Sequence, residues 1–100
     1  MWRTVLTDET SYEEVSGSAA IAAGILRGVK AGILDGSCKA AADRAISAIC
    51  DNISEDGTVL NVSAGTGIGM DGDHYKNVLI MPMAYGQALA LTALCEALEK

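Results

Sequence analysis

The residues from Ser11 to Gly32, SYEEVSGSAAIAAGILRGVKAG, constrain this chain more than any other stretch, because they form a helical pattern with two apolar faces. At about 100° per residue, Gly17, Ala20, Ile21, Gly24, Gly28 and Ala31 share one side. Val15, Ala19, Ala22, Leu26, Val29 and Ile33 share the opposite one. Only a narrow strip around Arg27 and Lys30 suits water, so such a helix belongs between layers. Its glycine side permits close backbone approach, and Gly24 is expected in a tight interface that a leucine would overpack. Ser11 followed by Glu14 has the capping-box spacing, which predicts a helix start at Ser11. Gly32 suits the left-handed cap at the other end.

A chain of 100 residues offers few layers for such a helix. It suits one domain, and a domain of this size buries only somewhat more than ~60% of its unfolded surface. Half of the residues are hydrophobic, yet phenylalanine is absent and the aromatic residues are Trp2, Tyr12, Tyr75 and Tyr85. Small aliphatic side chains therefore dominate, as in closely packed helices. The net charge of -6 repels nucleic acid and anionic membranes. A local arginine still leaves room for an anionic sugar. Cys38, Cys50 and Cys95 are odd in number and lack C-x-x-C spacing, so reduced core thiols are expected. Met1-Trp2-Arg3-Thr4 runs into Asp8 and Glu9 without a signal-peptide pattern. The uncharged apolar stretch from Val15 to Leu26 is too short for a bilayer. The expectation is a soluble, cytoplasmic protein, in which the sequons at Asn52 and Asn61 are coincidental.

Trp2 to Leu6 alternates weakly and reads as a short strand or an extended lead-in. Its abrupt tryptophan resembles the middle of a larger fold more than a natural beginning. After the Asp35-Gly36 turn, Ser37 is a plausible N-cap for a second helix from Cys38 to Ile53. Cys38, Ala41, Ala42, Ala45, Ile46, Ile49 and Ile53 give that helix a single apolar face. Thr58 to Val62 is long enough for one short strand, and Ser63 to Asp73 is glycine-rich and irregular. Pro82 suits the first turn of a third helix running to about Glu99. There Leu91, Leu94 and Leu98 make one apolar side, and Gly86, Ala90, Ala93 and Ala97 a small-residue side. Thr92, Glu96 and Glu99 are expected to face water. The fold class is all-α: an array of helical hairpins with three main helices, one short strand or hairpin, and a glycine-rich loop. Three helices cannot cover all these faces, so the chain either self-associates or joins a larger helical assembly.

Few constellations suggest chemistry. Gly67-Ile68-Gly69-Met70-Asp71-Gly72 matches G-x-G-x-x-G, but neither a clear helix opening nor a parallel-sheet pattern supports dinucleotide binding. Asp71 and Asp73 lack calcium-loop spacing. His74 is the only histidine, so no histidine-based metal cluster can be built from one chain, and no Ser-His-Asp set is suggested by spacing. His74 is an exposed loop residue or, if the loop covers a cleft, a ligand contact together with Tyr75. Glu14 is a cap or a site carboxylate. Gln87, beside Tyr85, needs a hydrogen-bond partner, which is either a neighbouring turn or a sugar hydroxyl.

In order, the blocks W-R-T, S-Y-E-E-V-S-G-S-A-A-I-A-A-G-I-L-R-G-V-K-A-G-I-L, D-G-T-V-L-N-V-S-A-G-T, Y-K-N and P-M-A-Y-G-Q-A-L-A-L span Trp2 to about Leu98. Together they resemble the C-terminal part of glycoside hydrolase families 88 and 105, the unsaturated glucuronyl and rhamnogalacturonyl hydrolases. The resemblance implies that residues 1–100 form one segment, roughly the last third, of an (α/α)6 barrel of six helical hairpins. It implies substrates left by polysaccharide lyases, with a C4=C5 double bond in the terminal uronate. An aspartate of the family protonates this enol ether and helps water add at C5; the hemiketal then opens and the sugar chain is released. This is distinct from two-carboxylate displacement at a saturated anomeric carbon. The family's aspartates lie upstream of the block matching Trp2, and no carboxylate here corresponds to them. No catalytic residue, metal or cofactor is therefore expected, and the isolated chain is expected to be inactive. The alternative is a non-catalytic helical unit that self-associates through small-residue faces. Expected substrate contacts are Trp2, Arg3, His74, Tyr75, Tyr85 and Gln87, with Arg3 as partner for a uronate carboxylate. Expected partners are an unsaturated oligosaccharide in the intact domain, and either a second copy or the missing N-terminal portion.

Overall fold

The computed structural model describes residues 1–99. Its order is helix α1 (Val15–Lys30), a 3-10 turn (Gly36–Cys38), α2 (Lys39–Asp51), a short α3 (Gly72–Lys76) and α4 (Ala84–Leu98). The all-α hairpin reading holds, with α1 at the centre packing on both α4 and α2.

The capping-box expectation is corrected. Glu14 itself is the N-cap: its carboxylate accepts from the Ser16 and Gly17 amides, and α1 starts at Val15. Ser11 instead turns its hydroxyl to the Val5 and Asp8 carbonyls. Residues 11–14 are drawn out of the helix because Thr4 N–H donates to Tyr12 and Glu14 N–H to Trp2. Helix α1 ends two residues before Gly32, whose φ of +75° is the left-handed value that the turn requires. The following Ile33 and Leu34 amides both return to the Gly28 carbonyl. Asp35, not Ser37, caps the turn into α2, by accepting from Ser37 N–H.

The short-strand alternative for 2–6 and the expected strand at 58–62 are also corrected. Among the described residues there are isolated bridges only, Arg3 with Glu13, Ile53 with Val59 and Ser63 with Ile80. Each of these segments meets a partner at one residue pair, too few to propagate a ladder. The stretch from 63 to 71 is irregular, but the unforeseen α3 follows it, with the Asp71 side chain accepting from His74 N–H. Pro82 lies just outside α4, whose N-cap is Met83.

The core forms where α1, α2, α4 and the 59–62 segment meet. Val15, Ala19, Ala23, Ile49, Val59, Val62, Ala90 and Ala93 make one cluster, and Ala22, Leu26, Ala42 and Ala45 another. The small-residue side of α4 is thus the side that packs. Glu96 does not face water: its carboxylate is buried between Arg27 Nε at 3.2 Å and Lys30 Nζ at 3.3 Å, clamping α4 to α1. The cysteines are free thiols but not core ones; Cys50 and Cys95 are exposed and Cys38 is half-buried.

The glycine side of α1 is open around Gly24, while Leu34 folds back over Gly28. Nothing lies within 4 Å of a Cβ placed on Gly24, so the tight interface expected there is absent. Gly24→Leu is accordingly expected to raise stability by about 0.5–1 kcal/mol through helix propensity alone. A urea midpoint that falls instead would show that this position is covered.

Candidate functional site

A cleft of about 480 Å3 opens at the N-terminal end of α1. Trp2, Arg3, Thr4 and Leu6 form one wall, Glu14, Ser16, Gly17, Ser18 and Ile21 the floor, and Ser63, Gly65, Thr66 and Tyr85 the other side. The N-terminal segment is held there by its backbone. Trp2 N–H donates to Ser18 Oγ at 2.9 Å, and Trp2 O accepts from Glu14 N–H at 3.1 Å. Arg3 Nη1 donates to the Ser11 carbonyl at 2.8 Å, which uses one of the five guanidinium donors and orients the group.

Ser63 organises the opposite side. Its amide donates to Glu14 Oε1 at 2.9 Å, its hydroxyl pairs with Tyr12 OH, and its carbonyl accepts from Tyr85 OH. Tyr85 OH also accepts from Gly65 N–H at 2.9 Å. Glu14 is fully engaged: Oε1 additionally accepts from Ser16 N–H and Oγ–H, and Oε2 from Gly17 N–H at 2.6 Å. Four donors around one buried carboxylate make it a fastening for α1, the loop and the cleft wall, with its lone pairs already committed.

Of the six expected contacts, Trp2, Arg3 and Tyr85 line the cleft, and His74, Tyr75 and Gln87 do not. His74 and Tyr75 pack edge to face with ring centres 5.0 Å apart. They pin the glycine-rich loop, His74 Nε2 meeting Gly67 O at 3.2 Å and Tyr75 OH accepting from Gly69 N–H at 3.0 Å. Gln87 bridges the 57–59 turn: its Oε1 accepts from Val59 N–H at 3.0 Å, and its Nε2 donates to Gly57 O at 2.7 Å. Ser18, Ser63 and Thr66 were not expected in the cleft. Ser63 and Thr66 belong to the S-A-G-T end of a quoted block, which is the signal that could have found them. Among the described residues, no group of three or more His, Cys, Asp or Glu could hold a metal ion, and no helix is long and apolar enough to cross a membrane.

Below the cleft, Asp8 ties the N-terminal turn to α3 through Lys76 at 3.1 Å. Hydrogen bonds from Thr10, then Lys76, hold its carboxyl down at about 2. The folded pKa lies below the unfolded one of about 3.9, so this support is present above pH ~4 and is lost as pH falls towards 2. A carboxyl-detected NMR titration is expected to place Asp8 near that lower value; a midpoint at the unfolded value would show that the tie is not formed.

The family model for Glycosyl Hydrolase Family 88 matches residues 1–100. The chain belongs to this family. It is 37% identical over 100 residues to the unsaturated rhamnogalacturonyl hydrolase YesR of Bacillus subtilis (strain 168), covering 99% of this chain and 27% of that protein. Two crystal structures described as possible members of the GH105 family superpose closely. The one from Salmonella enterica serovar Paratyphi A gives a TM-score of 0.94 at 39% identity. The one from Klebsiella pneumoniae gives 0.93 at 40%. Each match covers 97% of this chain and 26% of the other. The chain thus spans about a quarter of the length of these relatives, as a partial segment of the family-88 helical fold.

Proposed function

We propose that this chain is the C-terminal portion of an unsaturated uronyl hydrolase domain and supplies one wall of its sugar-binding cleft. The observation that carries this reading is the convergence of Trp2, Arg3 and Tyr85 on one cleft in a family-88 chain. Arg3 pairs with the uronate carboxylate, since a guanidinium offers two parallel donors to two carboxylate oxygens. Trp2 and Tyr85 present apolar ring surface to the sugar, and the Thr4, Ser16 and Thr66 hydroxyls exchange hydrogen bonds with its own. The proton that starts hydration of the C4=C5 bond comes from an aspartate elsewhere in the domain, so binding is this segment's share of the chemistry.

Titrating the chain with an unsaturated digalacturonate, followed by amide NMR, is expected to shift the signals of Trp2, Ser18, Ser63 and Gly65. Arg3→Ala is expected to weaken binding about 10-fold or more, the loss of a charge-assisted pair of about 1.5–3 kcal/mol. The ultraviolet absorbance of the double bond should stay constant throughout. Shifts confined to other residues, or turnover by the chain alone, would overturn the assignment.

A further inference from the structure

The residues from Thr66 to Asn77 form a lobe that is bonded almost entirely to itself. His74 Nε2 meets Gly67 O, Tyr75 OH accepts from Gly69 N–H, the Asp71 carboxylate accepts from His74 N–H, and Asn77 Nδ2 donates to Asp73 O at 2.7 Å. None of these residues is buried, and α3 packs on none of the other helices. The lobe joins the rest of the molecule at a narrow neck, where Ala64 N–H donates to Leu79 O at 2.7 Å and Met81 N–H to Val62 O at 2.9 Å. Gly65, whose φ of +71° suits glycine, makes the turn out of that neck. Among the described residues, one polar contact leaves the lobe itself: Lys76 Nζ lies 3.1 Å from Asp8 Oδ2. Lys76 also lies 3.9 Å from Asp73, but that contact is internal and fastens the lobe to nothing.

Asp8 is a fixed anchor. Its Oδ1 accepts from Thr10 N–H at 2.8 Å and Thr10 Oγ1 at 2.6 Å, and its carbonyl accepts from the Ser11 amide and hydroxyl. It stands two residues beyond Leu6, which belongs to the first wall of the cleft, while Thr66 at the start of the lobe belongs to the opposite wall. Neither Asp8 nor Lys76 lines the cleft, so their pair joins the two walls from outside it. We infer that Asp8 and Lys76 are a positioning pair, latching the 66–77 lobe to the N-terminal segment and so holding the Thr66 wall at a set distance from the Arg3 wall. A segment with few buried contacts opens at low free energy, and the latch then decides how often it is closed. The two side chains are 27% and 33% exposed, and an ion pair of this kind shifts an equilibrium by up to about 5-fold. The apparent dissociation constant of a cleft ligand rises as the closed fraction falls.

The consequence for binding rests on the reading that the cleft takes an acidic sugar, whereas the latch is tested without one. Spin labels are placed on Glu9→Cys and Ile68→Cys, both exposed positions, in a chain carrying Cys38→Ser, Cys50→Ser and Cys95→Ser. Pulsed electron resonance should give one narrow distance for that chain, a broad distribution after Lys76→Met or Asp8→Asn, and a narrow one again with Lys76→Arg. Asp8→Asn keeps an oxygen for Thr10, so the turn itself is spared. In the unlabelled chain, the dissociation constant for unsaturated digalacturonate should rise about 3- to 5-fold with Lys76→Met. It should rise no further when Asp8→Asn is added, and should return with Lys76→Arg. Equal distance distributions before and after Lys76→Met, in chains whose circular dichroism shows them folded, would overturn the inference. So would additive losses of affinity from the two substitutions, or broadened distances with unchanged affinity. If the distances respond as expected while no chain binds the sugar, the latch stands and the cleft assignment falls.

Discussion

Glu14→Ala is expected to lower the melting temperature by on the order of 10–30 °C, the largest effect of any single substitution away from the core. The carboxylate caps α1 through the Ser16 and Gly17 amides and also satisfies the Ser63 amide, which comes from a segment 49 residues away. Losing the cap alone costs about 0.5–2 kcal/mol. A stranded buried amide adds about 1–3 kcal/mol, for a combined loss of roughly 2–4 kcal/mol. Glu14→Gln keeps one acceptor oxygen but turns an amide NH2 towards another donor, so an intermediate value is expected. A thermal melt of the alanine variant that moves by less than about 5 °C would show that Glu14 is not the fastening described.

Gly86→Ala is the second large effect, and its sign is the informative part. On an exposed helix this change stabilises by about 1 kcal/mol. Here the added Cβ would lie 2.5 Å from Val62 Cγ2 and 2.9 Å from Cγ1. A β-branched side chain held between α4 and the core cannot swing both methyl groups away. Net destabilisation of about 1–3 kcal/mol is expected, read as a lower urea midpoint, whereas Gly24→Leu moves it upwards. A midpoint equal to or above that of the parent chain would mean that the 62 segment yields freely.

The opposite fates of these two glycines show how far periodicity reaches. Both lie on small-residue faces by spacing, and nothing local distinguishes them. Gly86 is buried because the chain returns at Val62 to sit on it; Gly24 is bare because nothing among the described residues returns there. The same limit explains Ser11. Its spacing to Glu14 is that of a capping box, yet the bridge between Arg3 and Glu13 and the hydrogen bond from Thr4 to Tyr12 hold those residues extended. Glu96 looked solvated because the strip of α1 bearing Arg27 and Lys30 that pairs with it is 66 residues away at Lys30.

The candidate site was legible in part for the same reason. Arginine and aromatic residues announce themselves by chemistry, so Trp2, Arg3 and Tyr85 stood out before their meeting was known. His74, Tyr75 and Gln87 stood out equally, and they satisfy the backbone of the 57–59 turn and the glycine-rich loop. Polar side chains near turns serve either purpose, and the partner that decides is distant in sequence.

The two-faced pattern from Ser11 to Gly32, the single-faced second helix and the two-faced α4 followed from residue spacing by itself, and so did the all-α class, because helical periodicity is a property of neighbours within a few residues. Which face of α1 and α4 is covered, where α1 begins, and which polar groups share the cleft were decided only by tertiary structure. Those outcomes depend on contacts between segments more than 60 residues apart, and a repeat of 3.6 residues is the same whichever of its sides meets a neighbour.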